Sequence, residues 1–198
     1  MEVLVHGGRD VRATLDGDVG DACVVACPPH PQHRGSRSDE RLRAVSRALV
    51  DAGVDCLRID YGPWAEGVGE VTDAINAVSH AHDELGYGRV GLFGYSFGGA
   101  VSLLAATECA AGVRAVSVVA PADRLSSELD AVAAVKTLSI PLQVVAGRRD
   151  TTVEWERVAA AARERGGDVV ELPADHFFVG QAGTVADRVG PFLVDALG

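Results

Sequence analysis

The chain has 198 residues, 47% of them hydrophobic and 23% charged, with 28 acidic against 18 basic side chains and a net charge of −10. That length supports one globular core, and the apolar content is too high for a disordered chain. A single lysine, Lys136, and scattered arginines make no basic stripe, which argues against nucleic acid and anionic membrane as partners.

No apolar run approaches the roughly 20 residues of a membrane span. The first residues, with Glu2, His6, Arg9 and Asp10, lack the charged-then-apolar order of a signal peptide, so a cytoplasmic location is expected. Cys23, Cys27, Cys56 and Cys109 sit in apolar surroundings and read as reduced, buried thiols. Cys27, His30 and His33 follow one another at intervals of three. Prolines 28, 29 and 31 predict an extended turn there and no second ligand pair follows, so neither metal nor cofactor is expected.

In chain order, residues 2–5 and 11–15 bracket His6-Gly7-Gly8-Arg9-Asp10 and predict an opening antiparallel hairpin. Residues 22–26 form a buried strand that ends in the proline-rich turn. The segment 39–52 has apolar residues at 42, 45, 48 and 49, one helix face, and Gly53 stops it. A strand at 54–59, a Gly-rich loop at 62–69 and a helix over about 70–85 follow, with Glu70 and Asp73 suited to the helix dipole. Strand 89–93 leads into Gly94-Tyr95-Ser96-Phe97-Gly98-Gly99 and a helix to about 107. Strand 113–119, a polar stretch 121–139 with one short helix, strand 141–146, helix 153–165, strand 168–171 and helix 183–197 complete the chain. Alternating apolar strands and helices predict an α/β fold, a mostly parallel sheet covered on both faces, over residues 1–198. Ligands of such sheets bind at the carboxyl ends of the strands.

That edge is where the chemistry is sought. In Gly94-x-Ser96-x-Gly98 the serine occupies a strained strand-to-helix turn, and the flanking glycines let strand and helix approach. A serine hydroxyl needs a base and an orienting carboxylate to act as a nucleophile. The base is His176, the only histidine after Ser96, in Ala174-Asp175-His176-Phe177-Phe178. Asp150, after strand 141–146, is the favoured acid, with an N-cap of the next helix as its structural reading. Asp123 remains open as an alternative, and Asp175 is too close in sequence to turn back onto its neighbour. An oxyanion hole would draw on the N–H of Phe97 and, since proline has none, on that of His30. Tyr61 and Trp64, after strand 54–59, would wall a substrate pocket, with Tyr95 beside the nucleophile. His6-Gly7-Gly8 lies far from this edge and reads as a hairpin turn. His80 and His82, two apart on a helix, share no face and read as solvated.

Pro29-His30-Pro31, Arg58-Ile59-Asp60-Tyr61, Gly67-Val68-Gly69-Glu70, the Ser96 turn and Asp175-His176-Phe177-Phe178 stand in one order from about residue 20 onward. In these the chain resembles the small, lid-poor α/β-hydrolases related to dienelactone hydrolases, with a His-Pro-His-Pro turn and an Asp-His-Phe-Phe ending. The resemblance implies an α/β-hydrolase fold with Ser96 as nucleophile, Asp150 as acid, His176 as base and the turn at His30 in the oxyanion hole. Pro28 replaces the first histidine of that turn, and Arg34 stands where the group has the first of two glycines. The expected activity is hydrolysis of small carboxylic esters or thioesters at a shallow site, since 121–139 is too short for a large cap. An inactive scaffold of the same fold and acyl transfer to another acceptor are the alternatives.

Overall fold

A computed structural model describes residues 1–18, 20–109 and 112–198. Eight strands form one sheet in the order β1-β2-β4-β3-β5-β6-β7-β8. β1 (Glu2–Val5) and β2 (Val11–Asp16) pair antiparallel as the opening hairpin, and β2 joins β4 (Asp55–Ile59) antiparallel. From β4 through β3 (Ala22–Cys27), β5 (Arg89–Tyr95), β6 (Val113–Val119), β7 (Leu142–Gly147) and β8 (Asp168–Leu172) all pairing is parallel. Among the described residues, no helix is long and apolar enough to cross a membrane.

The near-continuous apolar runs of β3, β5, β6 and β7 follow from burial on both faces. In β3, Ala22, Val24 and Ala26 join the core beneath α1 (Glu40–Asp51) and α6 (Ala182–Leu197), with Leu42, Val45, Leu49, Val189 and Leu193. Cys23, Val25 and Cys27 face the opposite core, built with α2 (Val68–Asp83), α3 (Phe97–Glu108), α4 (Ala131–Thr137) and α5 (Trp155–Glu164). Period-2 strands thus feed two separate helical layers. The chain leaves β3 toward β4, then crosses back to β5 on β3's other side. This reversal opens a crevice at the carboxyl ends of β3 and β5.

Two buried carboxylates of α2 shape the loop beside that crevice. Glu70 accepts hydrogen bonds from the N–H groups of Ala65 (3.0 Å) and Gly67 (2.7 Å). Asp73 accepts from Gly62 N–H at 2.9 Å and pairs with Arg9 of the hairpin turn at 2.7 Å. Arg9 also donates to the Pro63 carbonyl at 2.7 Å, so hairpin, loop and helix are tied at one point. Burial pushes the Asp73 carboxyl upward more strongly than Arg9 pulls it down.

Three expectations need correction. The proline turn is not extended: Pro31–His33 coils into a short 3₁₀ turn, because Pro31 stands at its start, where a missing N–H costs nothing. His80 is buried against the ring of His6 at 5.7 Å, since α2 turns its 80-side toward the hairpin. His82 is also not free in solvent. Its Nδ1 lies 2.8 Å from the Tyr87 carbonyl oxygen and its Nε2 2.6 Å from that of Gly112, so it links two loops.

The Arg9–Asp73 tie generates a stability prediction. Asp73→Asn keeps the shape but removes the charge that Arg9 meets, and should cost about 2–3 kcal/mol, somewhat less than a fully buried pair because Arg9 is half-buried. Urea unfolding of the two proteins measures it.

Candidate active site

β5 runs without pause into α3, and Ser96 is the hinge. Its backbone lies at φ 57°, ψ −117°, a conformation rarely held by a residue with a Cβ. The surroundings enforce it. Ser96 N–H donates to the Val119 carbonyl at 2.8 Å, and the Ser96 carbonyl accepts from Gly99 N–H at 2.9 Å. A side chain at position 94 would overlap the Gly98 carbonyl, and one at 98 would overlap the carbonyls of Cys27 and Pro28. The two glycines therefore let β5, α3 and the end of β3 close on one another, which lifts the serine hydroxyl to the sheet edge.

His176 and Asp150 meet that hydroxyl from the loops after β8 and β7. Ser96 Oγ lies 2.9 Å from His176 Nε2, and His176 Nδ1 lies 2.7 Å from Asp150 Oδ2. A carboxylate only accepts, so the neutral imidazole carries its proton on Nδ1 and leaves Nε2 free to accept from the serine. The Asp150 side chain is fully buried and His176 nearly so. The second oxygen of Asp150 accepts from Thr152 N–H at 2.8 Å, which fixes the carboxylate's orientation. Asp150 does not cap the following helix, whose N-cap is Glu154. Asp123 pairs with Arg157 and Arg124, away from the imidazole. Asp175 accepts from Phe177 N–H at 2.9 Å and faces outward.

The loop that carries His176 is held by Tyr95, Phe178 and Arg41, of which Arg41 has no conspicuous sequence signal. Tyr95 donates its hydroxyl to the His176 carbonyl at 2.9 Å. Arg41 of α1 lies over the Tyr95 ring at 4.4 Å, donates to the Phe177 carbonyl at 2.7 Å and pairs with Asp39, the N-cap of its own helix. Phe178, fully buried at φ 47°, plugs the core below, while Phe177 stands edge-on to the imidazole with ring centres 5.3 Å apart. Tyr95 borders the cavity, but its polar end is engaged with the loop rather than with the open space.

Above the serine lies a cavity of about 620 Å³. His30, Trp64 and Phe97 form one wall, with the His30 ring centre 4.7 Å from each of the other two. Tyr61, expected in that wall, stands behind it: its hydroxyl donates to the Pro28 carbonyl at 3.1 Å and its ring buttresses Phe97 edge-on. The strand end turns it inward, so it supports the proline turn. His30 Nδ1 accepts from Gln32 N–H at 3.2 Å, and burial together with His33 lowers the imidazole's affinity for a proton. With Nδ1 accepting that bond, a neutral His30 ring carries its proton on Nε2.

The N–H groups of Phe97 and His30 donate to no protein acceptor among the described residues. Phe97 is the first residue of α3, where helix N–H groups lack partners and the dipole favours negative charge. Cys27 is buried in β3 and His33 stacks on His30 at 4.6 Å. No three His, Cys, Asp or Glu side chains group as metal ligands among the described residues.

A doubly covered, mostly parallel sheet with a strained serine at its switch point defines an α/β hydrolase. Residues 57–185, well over half of the chain, match the serine hydrolase family, and the chain belongs to that family. Among solved structures it is similar to an α/β serine hydrolase homologue from Coxiella burnetii, at 24% identity over 98% of this chain and 97% of that one, TM-score 0.82. A lidless α/β serine hydrolase from Xanthomonas campestris aligns at 20% identity over 100% and 94%, TM-score 0.83. Dienelactone hydrolase from Anabaena variabilis aligns at 21% over 100% and 97%, TM-score 0.80. No curated protein matches the chain.

The packing of the turn predicts that Gly94→Ala is not tolerated quietly. The added methyl must push Gly98 away, with a stability loss of about 2 kcal/mol. Thermal unfolding reads this directly, and an unchanged midpoint would contradict the steric account.

Proposed function

We propose that the protein is a carboxylic ester hydrolase that forms an acyl-enzyme on Ser96. The reading is carried by one observation, the unbroken chain from Ser96 Oγ through His176 to Asp150 at 2.9 and 2.7 Å. Ser96 attacks the ester or thioester carbonyl while its proton passes to His176 Nε2. Asp150 holds the imidazole by its Nδ1–H and stabilises the positive charge it gains. The tetrahedral oxyanion takes hydrogen bonds from the N–H groups of Phe97 and His30. His176 then protonates the leaving alcohol or thiol, and a water deprotonated by the same nitrogen releases the acid. The chemistry draws on side chains and backbone alone.

The aromatic wall of His30, Trp64 and Phe97 supports small esters whose apolar portion lies against it. The 121–139 segment contributes α4 and border residues Ala122, Arg124 and Leu125, and no larger cap covers the cavity among the described residues. That openness supports water as the acyl acceptor.

Turnover of short-chain 4-nitrophenyl esters tests the proposal. The wild type should hydrolyse them and Ser96→Ala should not; a folded wild type without turnover would favour the scaffold reading. Asp150→Asn should lower kcat by about 10⁴-fold, as loss of the orienting acid does in such triads. Asp123→Asn should stay close to wild type, and the reverse ranking would move the acid to Asp123.

A further inference from the structure

The hairpin turn His6-Gly7-Gly8-Arg9-Asp10 takes no part in the proposed reaction, yet it is fixed on α2 at several points. Arg9 pairs with Asp73 at 2.7 Å. A side chain at Gly7 would overlap the Asn76 side chain, so the turn lies directly on that residue. Asp73, Asn76 and His80 follow one another at intervals of three and four, which places them on one face of the helix. The turn crosses that face, and it sets the His6 ring against the His80 ring with centres 5.7 Å apart.

His80 is the unexplained group in this contact. The residue is only 7% exposed, and both ring nitrogens are closed off from solvent without a hydrogen-bond partner among the described residues. A buried polar group left in that state destabilises the fold unless something satisfies it. Burial and the facing His6 ring lower the affinity of His80 for a proton, against an opposite pull from Glu84. A neutral imidazole presents one bare nitrogen lone pair, the form that binds a metal ion. With Asn76, Ser79, Asp83 and Glu84, the two histidines line a cavity of about 120 Å³. The two carboxylates at its edge favour a cation.

We propose that His6 and His80 form a binding site for one divalent transition-metal ion of the zinc or nickel class, which joins the hairpin turn to α2. The site is independent of the hydrolase reading. Two imidazoles that share a tetrahedral ion, at the ~2.0 Å of a metal–nitrogen bond, hold their ring centres about 5 Å apart, close to the 5.7 Å observed. No third His, Cys, Asp or Glu completes a ready-made set among the described residues, so water fills the rest of the coordination shell. Imidazole suits zinc, nickel and copper, whereas magnesium and calcium take oxygen ligands. The ion acts across the contact that Arg9 and Asp73 already bridge, as a second tie between turn and helix.

Isothermal titration of the untagged protein with Zn²⁺, and separately with Ni²⁺, tests the site. A single equivalent of either ion should bind, and Mg²⁺ should produce no heat. His6→Ala, at an exposed position, should weaken binding by at least about tenfold, since losing even a group that only orients a metal ligand costs that much. His80→Phe should do the same, and His6→Ala decides alone should the buried variant not fold. The stacked rings of His30 and His33 are the competing locus, so His33→Ala should leave the affinity unchanged. Imidazole ¹H–¹⁵N spectra locate the ion directly. Zn²⁺ should shift the ring signals of His6 and His80 and leave those of His82, whose nitrogens face two carbonyls, in place. No uptake of either ion, an affinity unchanged by His6→Ala, or ring shifts confined to His30 and His33 overturns the proposal.

Discussion

The structure depends on a chain reversal that leaves no room for side chains. At the end of β5 the backbone must pass into α3 within one residue, and that residue, Ser96, takes the strain at φ 57°. Such a conformation costs on the order of 1–3 kcal/mol and persists only where its surroundings over-determine it. Here they do, because Gly94 and Gly98 allow the carbonyls of Gly98, Cys27 and Pro28 to pack where methyl groups would otherwise stand. The same closeness brings the proline turn after β3 against the first N–H of α3. The exposed Ser96 hydroxyl and the two unpartnered N–H groups proposed as oxyanion donors are therefore consequences of one packing constraint.

His176, the proposed base, is positioned from the opposite side of the sheet. His176 sits on a loop, and a loop by itself would lose orientation to conformational entropy. The loop is instead anchored through its carbonyls, from Tyr95 to His176 and from Arg41 to Phe177, and by Phe178 buried beneath it. Arg41 belongs to α1, whose apolar face is packed against the sheet. Core packing thereby sets imidazole geometry, and in the proposed reaction such preorganisation would remove reorganisation cost from the chemical step.

Much of this was legible in the sequence, for physical reasons that differ by element. Apolar runs at 22–26, 89–93 and 141–146 announce strands buried on both faces, and Gly-x-Ser-x-Gly at a strand-to-helix junction announces the turn, because only small residues fit there. His176 is the one histidine after Ser96, so elimination alone singles it out as the candidate base. What escaped depends on contacts between distant segments. Arg41 reads as one more charged position on an amphipathic helix, Tyr61 as an aromatic at a strand end, and His80 as a polar residue on a helix surface. Only the assembled sheet reveals that Arg41 reaches residue 177, that Tyr61 turns behind Phe97, and that the hairpin covers His80. Left-handed backbone at Arg34 is not announced by arginine itself; its one signal is the glycine that the resembled group has at that position.

On the proposed reading, folding makes the Ser96 hydroxyl uniquely nucleophilic among the serines. Reaction with a fluorophosphonate, followed by peptide mapping, asks this with no assumption about substrate. A single phosphonyl adduct per chain is expected, on the peptide containing Ser96, with its loss when His176 is replaced by alanine. Modification of another residue, or a folded protein that takes up no label, would contradict it.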